Sequence, residues 1–402
     1  MENTMKNLKN IGTGLAVALA ALVLAGCAQR TLAPTVDEAQ LAGAVVRAEV
    51  APSVYELVYS ARQHAVFVAA PDVTEDAAAR GASRLLRLHP DTLAVQADIE
   101  LPHRGFGLAL DDAKGRVYVG HGFDGAVSVV DIESNRVVAT LALVPKIEDS
   151  TARRPYAHSL RQLLVDPARQ RLYLPALANG GQPDSLLYVV DTESLTLEKT
   201  VPGLGFESTG AALDAAHNRL FVSNLQAQLI TIDTQALVPV HTAEIEVDQP
   251  INIVYDGQGE RIFAVDQGIG FRSAWRNKGL GRDMPPRSKG HQVVVLEPVS
   301  GRSLARIRTD QNPLNVLLDA ERKRLYVTNF NGIRVAEGKG TLTVFDSESY
   351  ALLHVVALPP HPNSMAFDGE NNVLYVSVKN DGNRTKAGKP ESVVRIDLNS
   401  LP

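Results

Sequence analysis

A unit of about fifty residues recurs seven times along this chain of 402 residues. In each unit a turn-forming residue is followed seven positions later by an aromatic residue that lies inside a short apolar triplet. The steps between successive aromatics are 51, 55, 48, 42, 63 and 49 residues. A repeat of this length, built from short apolar strands, indicates a radial β-repeat, of which a propeller is the simplest form. The seven pairs are Ser60/Phe67, Asp111/Tyr118, Asp166/Tyr173, Asp214/Phe221, Asp256/Phe263, Asp319/Tyr326 and Asp368/Tyr375.

The unit has the organisation of a four-stranded propeller blade. Its first strand ends at the turn-forming residue, its second carries the aromatic, and in six of the seven units its third ends in another acidic residue. An Asp carboxylate at such a position accepts backbone N–H bonds and closes a turn, so we assign these carboxylates to turn formation and not to catalysis. The sequence therefore predicts an all-β, seven-bladed β-propeller. The third-strand residues are Asp131, Asp191, Asp233, Glu297, Asp346 and Asp397.

The seventh unit is incomplete at its end. Its third strand, predicted over Val393–Leu398, is followed by only Asn399–Pro402, which is too short for a fourth strand. A ring with a missing strand would leave an exposed sheet edge, which folds usually remove. The segment Ala44–Val50 (AVVRAEV) precedes the first unit. We predict that it supplies the missing strand and closes the ring.

The first 26 residues are predicted to be a lipoprotein signal peptide. Lys6 and Lys9 precede the apolar run Leu15–Leu24, which is too short to span a bilayer. The following Leu-Ala-Gly-Cys sequence resembles a lipobox, in which the cysteine, here Cys27, is acylated and becomes the new N-terminus. Cys27 is the only cysteine and has no disulfide partner within the chain. The alternatives are a soluble exported protein and a cytosolic protein with an apolar start.

These features divide the chain into a signal peptide (1–26), a lipidated tether (27–43) and a propeller (44–402). Acyl chains on Cys27 would attach the protein to a membrane. Ala28 follows Cys27, and resemblance to proteobacterial sorting rules then favours the outer membrane. The expected location is the periplasmic face of the bacterial envelope, and we expect a monomer.

Two tetrapeptides and several longer blocks resemble a known repeat family. Tyr326-Val327-Thr328-Asn329 is the tetrapeptide of the YVTN β-propeller repeats, and Phe221-Val222-Ser223-Asn224 is a variant. Further blocks make the chain similar to the YncE-type periplasmic propellers over nearly its whole predicted mature length. These blocks are Val54–Ser60, His361–Ser364, Leu374–Lys379 and Val393–Ile396. The lipobox and a long insertion in the fifth blade depart from that pattern. The resemblance suggests a role in binding single-stranded DNA or another polyanion, such as an anionic polymer of the envelope.

The loops with variable length are predicted on one face of the propeller. In a four-stranded meander, loops joining the second and third strands share a face with the connections between blades, and function concentrates on such loops. The insertion 265–291 combines Arg and Lys with aromatic residues, which suits an anionic polymer whose bases stack on rings. The net charge of −5 argues against a globally basic nucleic-acid binder but does not exclude a local patch. The candidate ligand-binding residues are Arg104, Arg154, Tyr156, Arg161, Phe271, Arg272, Trp275, Arg276, Lys278, Asn363 and Lys379.

Two other functions remain open from the sequence. His103, His158 and His361 precede first strands and are candidates for a metal site, or the site of a hydrolytic propeller enzyme, at the central channel. No spacing typical of a chelate supports this set, and no nucleophile elbow, phosphate-binding loop or haem motif occurs. We therefore predict no cofactor. The other alternative is a platform for a protein partner on the same face.

Overall fold

The structure is a computed structural model that describes residues 35–36, 44–74, 80–150, 155–179, 184–332 and 335–401. This part of the chain forms seven small antiparallel sheets, and they are arranged in a ring. The predicted seven-bladed β-propeller is confirmed. The predicted signal peptide, Cys27, Arg154 and most of the predicted tether lie outside the described residues.

Each blade is a meander of four strands, with its first strand nearest the axis of the ring. Blade 1 contains Leu57–Ser60, Ala65–Ala70, Ser83–Leu88 and Val95–Leu101. Blade 2 contains Gly105–Asp111, Arg116–His121, Ala126–Asp131 and Arg136–Ala142. Blade 3 contains Leu164–Asp166, Arg171–Ala178, Leu186–Asp191 and Thr196–Val201, and the short strand His158–Ser159 pairs with its second strand.

The remaining blades follow the same plan. Blade 4 contains Ser208–Asp214, Arg219–Asn224, Gln228–Asp233 and Val238–Glu244. Blade 5 contains Pro250–Asp256, Arg261–Asp266, Gln292–Leu296 and Ser303–Arg308. Blade 6 contains Pro313–Asp319, Arg324–Asn329, Gly340–Asp346 and Leu352–Leu358. Blade 7 contains Pro362–Asp368, Val373–Val378, Glu391–Asp397 and the N-terminal strand Val45–Ala51.

The acidic residues at strand ends close turns, as predicted. Asp256 accepts backbone N–H bonds from Gln258 (3.0 Å) and Gly259 (3.1 Å), and it also accepts a bond from the Arg261 side chain. In blade 1, where Asp is replaced, the Ser60 hydroxyl accepts the equivalent bond from the backbone N–H of Gln63 at 3.0 Å. A short polar side chain of either type can satisfy the turn, which explains why the repeat tolerates this one substitution.

The repeated aromatics join each blade to the next. Phe67 of blade 1 packs in one cluster with Val117 and Val119 of blade 2. The same relation holds between every later pair of blades, and Tyr375 of blade 7 packs into the cluster of blade 1. All seven aromatics are buried. The apolar core thus lies between neighbouring sheets.

The N-terminal strand closes the ring. Val45–Ala51 pairs antiparallel with Glu391–Asp397, in a register that sets Val45 opposite Ile396 and Ala51 opposite Glu391. Residues 35–36, which the sequence placed in the tether, run parallel to the outer strand of blade 6. That short strand was not predicted.

The longest excursion from the sheets is the insertion between the second and third strands of blade 5. It contains the helix α1 (Gly270–Leu280), where the sequence predicted only a loop. Two shorter helical segments, α2 (Gly382–Lys386) and a 3-10 turn (Leu398–Ser400), lie in blade 7. We call the face that carries α1, α2 and the connections between blades the loop-rich face.

Candidate functional site

The helix α1 begins at a contact with the propeller and ends at a glycine. No side chain at Ile269 caps its start, and Gln249 substitutes for a cap. The Gln249 side chain accepts a bond from the Ile269 N–H (2.8 Å) and donates to the Ile269 carbonyl (2.9 Å) and the Ser273 hydroxyl (3.1 Å). The helix ends at Gly281, whose φ of 63° is a left-handed conformation that glycine adopts without strain. The start of the helix is therefore fixed by Gln249, and its end is closed by bonds from Gly281 to the carbonyls of Asn277 and Lys278.

Arg276 anchors the middle of α1. Its side chain is only 1% exposed. Its guanidinium donates to the carboxylate of Asp248 at 2.7 Å and to the Met284 carbonyl at 3.0 Å. A buried ion pair of this kind needs full hydrogen bonding to offset the desolvation of both charges. The sequence predicted Arg276 as a ligand-binding residue. In the structure its side chain is buried in the ion pair with Asp248, away from solvent.

The opposite side of α1 presents two aromatic rings to solvent. Phe271 and Trp275 are 52% and 45% exposed, and they lie four residues apart on one face of the helix. Trp275 also contacts the ring of Phe206, with ring centroids 5.6 Å apart. Lys278 is exposed one turn further along the helix. Large exposed aromatic side chains next to cations can stack on planar groups of a ligand.

A polar cavity lies on the ring axis, beneath the loop-rich face. It has a volume of about 60 Å³ and is lined by residues of blades 1, 3, 5, 6 and 7. Arg161 enters it from the segment before blade 3 and donates to the Tyr55 hydroxyl at 3.0 Å. Asn363 donates to the Tyr55 carbonyl at 3.3 Å. The lining residues are Tyr55, Glu56, Arg161, Gln162, Asn252, Leu314, Asn315, Asn363 and Ser364.

The charged groups around this cavity influence one another. Burial raises the pKa of Glu56 to about 7, against the opposing effects of a backbone N–H bond from Leu108 and the positive charge of Arg161. Electrostatic interaction with Tyr55, and then with Glu56 and Glu207, raises the pKa of Arg161. Burial, and then repulsion from Arg161, lowers the pKa of Arg272 to about 10. Arg161 and Arg272 therefore form a pair of like charges in a poorly solvated place.

Three other candidate residues are held by the protein itself. Arg104 forms a two-point ion pair with Asp124, with its guanidinium 4.7 Å from the ring centre of Phe123. The ammonium of Lys379 donates to the Val54 carbonyl at 2.5 Å and lies 3.4 Å from a carboxylate oxygen of Glu391. The side chains of Arg104 and Lys379 are therefore both paired with carboxylates of the protein. Tyr156 is half-buried, and its ring packs against Gly125, where an added Cβ would approach the ring to 2.5 Å.

The three candidate histidines have separate local contacts. His158 donates to the Asp184 carbonyl at 3.1 Å and accepts from the Tyr188 hydroxyl at 3.1 Å, and burial lowers its pKa. His361 donates to the Gly332 carbonyl at 2.8 Å. The ring of His103 lies edge-on to His121, with centroids 5.3 Å apart. Within the described residues, no group of three or more His, Cys, Asp or Glu side chains could hold a metal ion.

Sequence reasoning missed Glu56 and Gln249. Glu56 stands directly before the innermost strand of blade 1, a position that faces the axis in a propeller, and this is the signal that could have identified it. Gln249 carries no comparable signal, because its role depends on a helix that the sequence did not predict. In the part of the chain that the structure covers, no helix is long and apolar enough to cross a membrane.

Comparison with known proteins supports the resemblance given by the repeats. YncE of Salmonella typhimurium is 27% identical over 361 residues, which cover 88% of this chain and 91% of that protein. YncE of Escherichia coli strain K12 is 27% identical over 366 residues, which cover 89% and 92% of the two chains. The YncE proteins are thus homologues of this chain, which confirms the predicted resemblance.

The other comparisons add the fold alone. Hydrazine synthase of Kuenenia stuttgartiensis aligns with a TM-score of 0.61 and 15% identity, covering 87% of this chain and 98% of that chain. No family model matches the sequence. At that identity the structural match extends to the propeller architecture only.

We expect Arg276→Ala to destabilise the protein by about 3–5 kcal/mol, because it leaves the carboxylate of Asp248 buried without its partner. Urea unfolding measures the change in free energy. Release of α1 should also move the emission maximum of Trp275, the only tryptophan, to longer wavelength. The matched control is Arg282→Ala in the same insertion, where the side chain is exposed and the expected change is within about 0.5 kcal/mol. Equal stability of the two variants would contradict the anchoring role of Arg276.

The raised pKa of Glu56 predicts a pH-dependent stability. In the folded protein the pKa of Glu56 is about 7, whereas the ordinary pKa of a glutamate is 4.5. Protonation of Glu56 therefore contributes to the free energy of unfolding. This contribution is fully present below pH 4.5 and is lost as the pH rises through 7. Glu56→Gln mimics the neutral form and does not titrate. We expect its free energy of unfolding to rise by ~2 kcal/mol relative to that of the native protein as the pH is raised from 5 to 8. Urea unfolding across this range measures it, with Glu133→Gln on the opposite face as reference. Parallel pH profiles for all three proteins would disprove the assignment.

Proposed function

We propose that this protein is a non-enzymatic binding protein of the bacterial envelope whose loop-rich face takes single-stranded nucleic acid or a similar polyanion. The observation that carries the proposal is the exposed pair Phe271 and Trp275, with Lys278 on the same helix. A rigid, exposed aromatic pair next to a cation is the arrangement by which proteins stack bases and pair with phosphates.

The geometry narrows the set of residues assigned to the ligand. Arg104, Arg276 and Lys379 are bound by protein groups and leave the set. Phe271, Trp275 and Lys278 remain as surface contacts, and Arg282 and Lys289 of the same insertion are exposed beside them. Arg161 and Asn363 line the axial cavity, whereas the guanidinium of Arg272 lies 5.8 Å from the ring centre of Phe271. The candidate surface is thus centred on a single insertion.

Hydrolytic and metal-dependent alternatives have less support in the described residues. Among the histidines on which they depended, His158 and His361 are hydrogen-bonded to separate carbonyl or hydroxyl groups, and His103 packs against the ring of His121. A protein partner could use the same exposed aromatics, and the binding experiment below separates that case from a nucleic acid.

We expect a single-stranded oligonucleotide to quench the fluorescence of Trp275, which is the only tryptophan and lies on the proposed surface. Loss of one stacked base should weaken binding of Trp275→Ala by about five- to a hundredfold, measured by anisotropy of a labelled oligonucleotide. Lys278→Ala should reduce the slope of log affinity against log salt by about 0.7 if it contacts one phosphate.

The control for this experiment is Arg302→Ala, an exposed arginine in a turn of the opposite face, which should bind as the native protein does. Absence of binding, or binding that does not respond to salt, would reject the polyanion. If Trp275→Ala binds normally, the ligand lies elsewhere. Retention of an envelope protein by the native chain but not by Trp275→Ala, without oligonucleotide binding, would favour the partner alternative.

We also propose that Cys27 carries the lipid anchor, a position outside the described residues. Several acyl chains attach a protein durably, at about 0.8 kcal/mol per buried methylene. Cys27→Ser should therefore move the protein from the membrane to the soluble periplasmic fraction, while Ser53→Ala should remain membrane-bound. Fractionation and mass spectrometry of the N-terminal peptide give the result. Native protein that is soluble with an unmodified Cys27 would reject the anchor.

A further inference from the structure

The innermost strands of the seven blades place equivalent residues at one level of the ring axis. Each of these strands runs towards its turn residue at the face opposite the loop-rich face, so positions at the same distance from that turn lie at about the same height. The position four residues before the turn residue holds only glycine or a residue with a hydrogen-bonding side chain. We call these seven positions the axial ring, and in blade order they are Glu56, Gly107, Gln162, Gly210, Asn252, Asn315 and Ser364.

The axial ring forms the wall of the axial cavity. All five of its members that are not glycine line the cavity, and each of the other four lining residues directly precedes one of them in the chain. At Gly107 a Cβ would collide with the Arg161 carbonyl oxygen, so glycine lets the Arg161 segment approach the axis. Seven of the nine lining residues are partly exposed, so the cavity is open to solvent and its occupant need not be fully enclosed.

The polar groups of the axial ring are only partly used by the protein. Glu56 accepts a hydrogen bond from the Leu108 N–H at 2.9 Å, and the Asn252 amide nitrogen donates to the Leu314 carbonyl at 2.7 Å. The Oε1 atom of Gln162 is buried, and among the residues that the structure describes it has no hydrogen-bonding partner. A buried acceptor without a partner costs free energy, and a ligand that donates to it would remove that cost.

The charges and hydrogen-bonding groups of the lining select the class of ligand. The guanidinium of Arg161 disfavours a metal cation, whereas Glu56 and the unpaired Gln162 oxygen disfavour a simple anion, which has no donor to offer them. An apolar molecule would leave the amide groups unpaired. Amide and hydroxyl side chains both donate and accept, and so does each hydroxyl group of a sugar. A neutral molecule with several hydroxyl groups therefore matches the whole ring.

We propose that the axial cavity is a binding site for a monosaccharide unit, whose hydroxyl groups exchange hydrogen bonds with the axial-ring side chains of Glu56, Gln162, Asn252, Asn315 and Ser364. No residue of α1 lines this cavity, so the site is separate from the proposed polyanion surface. The sugar is either a free molecule or the terminal residue of a glycan, and the chemistry of recognition is the same for both.

The test is saturation-transfer NMR and calorimetry of the purified protein, with glucose, galactose, N-acetylglucosamine and ribose as probes. We expect saturable binding of at least one of them. Gln162→Leu removes the unpaired acceptor with little change in volume and should weaken this binding about tenfold or more. Its urea-unfolding midpoint should stay the same or rise, because the cost of the unpaired acceptor is lost. Gln235→Leu, the same substitution in an exposed turn of the opposite face, should change the affinity less than about twofold.

Free L-serine, sodium sulfate and calcium chloride serve as controls for a zwitterion, an anion and a cation. Sugar binding that is weakened in Gln162→Leu and kept in Gln235→Leu supports the site, whether or not oligonucleotides bind. The site is overturned by absence of saturable sugar binding, by a saturable response to the control solutes alone, or by a folded Gln162→Leu variant that binds sugar normally.

A further comparison identifies the source of the sugar. The sugar that binds is tested against a disaccharide that carries it at the non-reducing end. Tighter binding of the disaccharide indicates the end of a glycan, and equal or weaker binding indicates a free sugar.

Discussion

The packing of one aromatic side chain per blade against the following sheet is the interaction on which the rest of the structure depends. Phe67, Tyr118, Tyr173, Phe221, Phe263, Tyr326 and Tyr375 are buried in this way between consecutive blades. A single four-stranded sheet has two faces to cover, and in a ring each neighbour covers one of them. The apolar contacts are thus confined to the spaces between blades, and the axis is left to polar side chains.

The sequence predicted the scaffold well because the scaffold is repetitive. The spacing from turn residue to aromatic located six Asp residues and Ser60, and each unit repeats the same local chemistry of a carboxylate or hydroxyl accepting backbone N–H bonds. The site was predicted less well, because it consists of features that occur once. Arg276 and Lys278 look alike in the sequence, yet one is enclosed by Asp248 and the other is exposed. Only the path of α1 distinguishes them.

The same difference applies to the cations of other loops. Lys379 belongs to a basic segment and Arg104 follows His103 in a loop, and the sequence alone assigns both to a charged surface. In the fold Arg104 pairs with Asp124 and Lys379 pairs with Glu391. The sequence does not reveal that the chain brings these residues together. Glu56 is the converse case. It lies in an apolar stretch and draws no notice in the sequence, yet the ring places it on the axis beside Arg161.

The strand that closes the ring also constrains how the molecule is made. Arg47 of the first-synthesised strand of blade 7 bonds to Ser392, a residue 345 positions later in the chain. Contacts between such distant residues carry a large loop-closure entropy and form slowly. While the chain is still growing, the apolar flank of blade 1 has no neighbour on one side. The nascent protein therefore carries an unprotected surface until blade 7 is made, and a chaperone that shields that flank would favour correct closure over pairing between chains.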